Sequence, residues 1–414
     1  MTTRDWPSGL RDRTGLSSRI PLTSKPGIVA DRVLLDEASR EPLRGVLSPT
    51  GLVTGLYDDP HGTDTSAVAD VAQSYLSALS VEDLGAGRFP LQDRSRRHWA
   101  NPAVNLLRHG VLLEGLDPTA RERALDVARA CLSESGWNSV LACMRLNRTI
   151  GEIRGEVDEL NEWLYWFSLY GDPQPSQPWA WQLDGHHVNV NCTVVDGRLV
   201  VTPTFLGAEP VAAFAGQFEG TWALQQEQDR GSALYVSLTA SQRATATIGT
   251  EIPVDVITGA GRDNFELNYE GVPFSTFSPE QLALALDLIG VYVGRERSDS
   301  ADVRMAEVRD HLAETYFGWI GEPNPDGVFY YRVHSPVILI EFEHSRGIMF
   351  DNDKPARNHI HTIVRTPNGN DYGQDYLRQH HERYHRDQPQ GPASSLGVSE
   401  IHEARSKGVV SNRS

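Results

Sequence analysis

Four histidines stand in patterns that chemistry can use. Asn358-His359-Ile-His361-Thr-Ile-Val-Arg365 alternates with the period of a strand, so His359, His361 and Arg365 share a face. Two imidazoles spaced this way lie about 7 Å apart along the chain, close enough to grip one cation. A third imidazole from another strand would complete a three-nitrogen site with an open position, the pattern of catalytic rather than structural metals. His186 and His187 supply the candidates, within Trp179-Ala-Trp-Gln-Leu-Asp184-Gly-His-His-Val-Asn189-Val-Asn191. On the strand expected there, His187, Asn189, Asn191 and Thr193 line one side. Such a row is either a wet surface or the wall of a polar cavity. His186 heads the apolar row, where a hydrogen-bonded core histidine is the commoner outcome. His186, His187, His359 and His361 are thus the candidate metal ligands.

A carboxylate comes from Val337-Ile-Leu-Ile-Glu341-Phe-Glu343-His344, where Glu341 follows Val337 and Leu339 on one strand face. A carboxylate pushed toward a core needs a cation, a metal or a raised pKa; the competing reading is an edge strand that turns polar at its end. The chemistry these residues suggest is metal-dependent hydrolysis of a small or medium polar substrate. Zinc, the first expectation, would lower the pKa of bound water. Glu341 would be the general base or a fourth ligand, and Asp184 would fix an imidazole tautomer. Arg365 and Asn191 would orient substrate or stabilise an oxyanion. The same ligands suit copper or iron, which would make the chain an oxidoreductase. A non-catalytic ligand-binding module is the third reading.

Other polar marks have plainer explanations. Asp371-Tyr-Gly373 reads as a turn, His380, His381 and His385 as a solvated helix face, and Arg94, Arg96, Arg97 and His98 as a solvated basic loop. GxSxG, GxxxxGK[ST], HExxH and GxGxxG are all absent, so nucleotide and dinucleotide cofactors have no support.

The elements that must position these groups follow from pattern and composition. Residues 1–60, rich in Gly, Pro, Ser and Arg, read as an extended arm. Helices are expected over 64–79, from Asp117-Pro118 onward, and through most of 138–166, with Gly151 and Gly155 as interruptions. A strand, an Asp196-Gly197 turn and a second strand cover 186–202. Helices at 278–295 and 301–316 precede strands at 328–334, 337–344 and 359–365, then a helix at 374–386. The fold class is α+β: a helical N-terminal part, antiparallel strand segments carrying the histidine motifs, and a helix pair between two sheet regions. Residues 61–386 read as one domain and 387–414 as a flexible polar tail. No repeat at solenoid spacing stands out.

The chain has 414 residues, with 38 Lys+Arg against 55 Asp+Glu, a net charge of −17 that argues against a nucleic-acid binder. No apolar run spans a membrane, and the N-terminus lacks the apolar core of a secretory signal, so a cytoplasmic protein with a small-molecule substrate is expected. Three Cys without a CxxC pair argue against a disulfide framework and a thiolate zinc site. Nothing in the sequence speaks to oligomeric state.

Taken together, five separated motifs resemble one family. They are Trp181-Gln-Leu-Asp-Gly-His-His187 with Asn191, Thr202-Pro-Thr-Phe-Leu-Gly207-Ala-Glu-Pro210, Tyr316-Phe-Gly-Trp-Ile-Gly321, Ile340-Glu341, and His359-Ile-His361-Thr-Ile-Val-Arg365 with Asp371-Tyr-Gly373. In this order they look like the bacterial and fungal family catalogued as domain of unknown function 3500, over roughly residues 65–385. The resemblance implies that the Gly-His-His, Ile-Glu and His-x-His motifs belong to one site.

Overall fold

Local signals account for most of the helices in the computed structural model, which describes residues 9–10, 26–57, 62–102, 106–322, 324 and 326–385. The expected tail at 387–414 lies outside the described residues, as does much of the N-terminal arm. The described part of that arm contains a helix, α1 (Pro26–Arg40), where an extended segment was expected.

The first half of the fold then begins with α2 (Ser66–Ala78), α3 (Val81–Gly87) and the short strands β1 (Arg88–Phe89) and β2 (Val111–Leu112). Asp117 caps α4 (Pro118–Cys131) by accepting from Thr119 N and Ala120 N. Ser133 caps α5 (Glu134–Arg154), which stops at Gly155 in the left-handed conformation (φ 69°). The chain therefore leaves the helix before 166 and enters the sheet through β3 (Tyr165–Gly171), β4 (Trp179–Gly185), β5 (Val188–Val195), β6 (Arg198–Val200) and β7 (Thr204–Ala208).

The second half repeats this order. It runs α6 (Gln225–Ser237), α7 (Ala240–Ala246), β8 (Val272–Pro273), α8 (Pro279–Val293) with a Ser278/Gln281 capping box, and α9 (Ser298–Asp310). Strands β9 (Tyr316–Gly321), β10 (Phe329–His334), β11 (Leu339–Arg346) and β12 (Pro355–Arg365) follow, then α10 (Gln374–Tyr384). Neither α6 and α7 nor β7 and β9 stood out in the sequence.

All strands join one mixed, open twelve-stranded sheet in the order β1-β3-β4-β5-β7-β12-β11-β10-β9-β8, with β2 on β3 and β6 on β5. Only β1 pairs in parallel. The two expected sheet regions are thus one sheet with a near two-fold relation about the β7–β12 seam. The register carries that relation into detail: Val111 pairs with Phe167 in one half, and Val272 with Phe317 in the other. The repeat unit is a whole half-domain, far longer than a solenoid period.

One face of the sheet packs the helices. Tyr75, Val127, Met144, Phe167, Trp181, Leu288 and Phe342 belong to its apolar cluster. The opposite face carries the polar residues and is covered by loops and by α10, whose Tyr376 and Leu377 pack with Val195 and Val337, with Trp99, Phe205, Val256 and Ile363 as a second small apolar patch. No described helix is long and apolar enough to cross a membrane.

Candidate metal centre

The β4–β5 connection is a two-residue turn made by His186 and His187, not the strand start that alternation suggested. His187 adopts φ 63°, which throws its imidazole onto the loop-covered face. There it meets the two histidines of β12. His187 Nε2 lies 3.2 Å from His359 Nε2, which in turn lies 2.9 Å from His361 Nε2. Ligand atoms of the three histidines all fall within 4.8 Å of one another, and all three side chains are buried.

The far sides of two rings are anchored. His359 Nδ1 donates to the Arg346 carbonyl at 2.6 Å, with Glu209 Oε2 at 3.5 Å. His361 Nδ1 faces two carboxylates, Asp255 Oδ1 and Glu343 Oε1, each at 3.0 Å. A proton on Nδ1 leaves Nε2 as a lone pair, so in both rings the free nitrogen is turned inward. Lone pairs that face one another at such distances repel unless a proton or a cation lies between them. Nitrogens on a tetrahedral zinc would be separated by about 3.3 Å, given metal–nitrogen bonds of about 2.0–2.1 Å. The observed spacings are close to that value, so the donor set fits a metal with three imidazole ligands.

Electrostatics separate the three rings. Burial first, and then the neighbouring imidazoles, hold His187 and His359 well below the ordinary histidine range, keeping both neutral and able to ligate. Burial also opposes charge on His361, but Asp255 and Glu343 outweigh it and lift that ring to about 10. Two carboxylates thus stabilise positive charge at this ring, which without a cation is a second proton on Nε2; a metal ligated there must displace that proton.

The family described as "Protein of unknown function (DUF3500)" matches residues 61–374. The chain belongs to that family. No curated protein and no solved structure matches it.

Not every polar residue shared by the DUF3500 motifs reaches the three imidazoles. His186 stacks on His187, with ring centroids 3.9 Å apart, but its Nδ1 bonds Asn147 Oδ1 at 2.8 Å and it stands outside the ligand cluster. Glu341 is buried, the first of the two readings of its strand face. Its carboxylate accepts from Ile257 N, Thr258 N, Thr258 Oγ1 and Tyr330 OH, and so clamps the 257–258 loop to the sheet. Arg365 is likewise a clamp. It bonds the carbonyls of Thr258 and Gly259 and the carboxylates of Asp263 and Asp371. Asp184 accepts from Asn189 Nδ2, Asn189 from Asn191 Nδ2, and Asn191 from Gln182 Nε2. The polar row is therefore neither a wet surface nor a cavity wall but a buried hydrogen-bonded ladder.

Two further expectations change. Arg96 is buried, donating to Thr193 Oγ1 and the Tyr372 carbonyl, and Arg97 pairs with Asp263, so the basic loop is packed structure. His380 is buried against Asp196 at 2.7 Å rather than solvated.

Four residues at the cluster carried no sequence signal strong enough to assign them. Asn101 accepts from His187 N at 3.2 Å and places Nδ2 3.1 Å from His361 Nε2. Glu209 accepts the backbone N–H groups of Ile348, Met349 and Phe350 beside His359. Asp255 comes from a loop with no motif at all. Glu343 was legible only as the same-face neighbour of Glu341. Asn101 and Asp255 also line a cleft of about 620 Å³, shared with Leu34, Trp99, Phe205 and Ile257.

Proposed function

We propose that the protein is a metal-dependent hydrolase in which His187, His359 and His361 hold one divalent cation, zinc by preference. The observation that carries the reading is the convergence of three Nε2 atoms whose rings are braced from behind by a carbonyl and by carboxylates. Three protein nitrogens leave an open coordination position, as catalytic sites require. Bound there, the cation would supply Lewis acidity and lower the pKa of a water.

The chain's own residues have distinct tasks. Glu343 and Asp255 hold the His361 tautomer, and the Arg346 carbonyl holds that of His359. Asp255, about half exposed, links the His361 Nδ1 to the cleft and is the carboxylate through which a proton on that ring would pass to solvent. Asn101 stands at the mouth of the site and offers an amide to a substrate carbonyl. The size of the cleft suits a small or medium substrate.

The test is elemental analysis of protein purified without chelator. About one zinc per chain is expected, with loss of metal in His359→Ala and His361→Ala and loss of hydrolysis of an ester and amide panel. Absence of stoichiometric metal from folded wild type overturns the proposal. An all-nitrogen donor set also suits copper or iron, so an EPR-active stoichiometric ion would move the reading to an oxidoreductase. Ligand binding that survives both alanine substitutions would make the chain a binding module.

A further inference from the structure

A second polar cavity lies away from the histidines, between β6, α9 and the segment leading into α10. It encloses about 40 Å³ and is lined by Arg198, Arg304, Glu296, Ser300, Asn370 and Tyr376, among others. A space of this size holds more than one water-sized group.

Arg198 is the unusual member. Its side chain is buried, at 9% exposure, with the guanidinium 4.8 Å above the Tyr376 ring. Its Nε and Nη2 have no hydrogen-bond partner, and among the described residues it forms no ion pair. These two N–H groups point in the same direction and form the side-on fork that matches a carboxylate or a phosphate. Arg297 shows that fork in use in this same molecule, with Nε and Nη2 on the two oxygens of Asp299 at 2.7 and 2.6 Å. In Arg198 no protein acceptor among the described residues meets the fork.

The other cavity groups complete the pattern. Arg304 Nε has no hydrogen bond and lies 3.5 Å from Glu296, while Arg304 Nη2 donates to the Arg365 carbonyl. Glu307 is 3.9 Å from Arg304 Nη1. The two carboxylates thus face Arg304 and leave Arg198 uncompensated. Burial holds the Glu296 carboxyl up at about 7, which reduces the negative charge around the cavity near neutral pH. Asn370 Oδ1 is a buried acceptor without a donor.

Water can satisfy an N–H group but cannot balance a buried charge, and buried charges are normally paired. We infer that this cavity binds a small oxyanion bearing a hydroxyl group, with two oxygens on the Arg198 Nε/Nη2 fork and the hydroxyl donating to Asn370 Oδ1. Hydrogen phosphate and a short hydroxycarboxylate share that chemistry.

The experiment is thermal unfolding of the full chain, titrated with inorganic phosphate, with glycolate and with sulfate, for wild type and Arg198→Met. Calorimetric titration of the same anions into wild type accompanies it. For wild type, Tm should rise by about 2 °C or more with phosphate or glycolate, following the logarithm of concentration above Kd, and the arm that takes effect at lower concentration identifies the ligand. Sulfate, which has no hydroxyl at neutral pH, should act more weakly. This logarithmic rise should vanish in Arg198→Met. Phosphate and sulfate stabilise many proteins by exclusion from their surfaces. A linear, unsaturable rise that is equal in both proteins, with no calorimetric binding, therefore overturns the inference. If Arg198→Met does not fold, the calorimetric titration of wild type decides alone.

Discussion

At the scale of single residues, burial of a charged side chain is not evidence of catalysis. Glu341 shows why. Its position on an apolar strand face predicted a buried carboxylate in need of partners, and the partners turn out to be four donors rather than a metal. Replacing it with Gln leaves a smaller acceptor and sets an amide N–H against N–H donors. Glu341→Gln should cost about 2–4 kcal/mol in urea unfolding while the metal content of the folded protein stays at the wild-type level. Loss of metal without loss of stability would return Glu341 to the site. Arg365 makes the same point with the opposite charge, since its donors are spent on two carbonyls and two carboxylates. The His-x-His pair was legible because strand alternation places both rings on one face whatever the tertiary context. Asp255 was not, because a single loop carboxylate acquires meaning only from the strand it meets.

At the scale of elements, the site depends on how closely β5, β7 and β12 approach. Strand β7 lies between the other two and pairs with both: Leu206 with Val188 on β5 and with Thr362 on β12. Gly207 faces His361 across the ladder, and its backbone N–H donates to the His187 carbonyl. A Cβ at this position would stand 2.8 Å from His361 Cδ2 and 3.0 Å from His187 Cδ2. Glycine is therefore what lets an imidazole from the β4–β5 turn and one from β12 share one point. Gly207→Ala should push the rings apart and weaken metal binding by about 10–100-fold, the usual range for disturbed ligand support. Competition with a chromophoric chelator would measure it, and unchanged affinity in a folded variant would refute the steric account. Two helix starts were readable in advance because caps are local: Asp117-Pro118 and Ser278 each act within a turn, whereas Gly155, expected as an interruption within 138–166, ends its helix. Strand β7 was not readable, because Thr204–Ala208 is short, holds a glycine, and is fixed by its neighbours rather than by its own alternation.

At the scale of the whole molecule, the histidines come from both halves of a repeated architecture. His187 closes the β4–β5 turn of the first half, and His359 and His361 lie on the last strand of the second. The halves meet only once within the sheet, where β7 pairs with β12 from Thr204–Val364 to Ala208–Ile360. A cation held by all three rings would therefore tie one half to the other beside that seam. A ligand that binds only the folded state adds stability in proportion to the logarithm of its excess over Kd, about 4 kcal/mol at a thousandfold excess. Because the tie spans the seam, that stability belongs to both halves at once. Chelation should lower the midpoint of one shared unfolding transition, and the fluorescence of Trp179 and Trp181 in the first half should change together with that of Trp319 in the second. Calorimetry with and without a chelator measures the shift, and His361→Ala should unfold at the chelated midpoint whether or not chelator is present. Two separate transitions, only one of them sensitive to chelator, would mean that the cation serves one half alone and that the seam does not couple them.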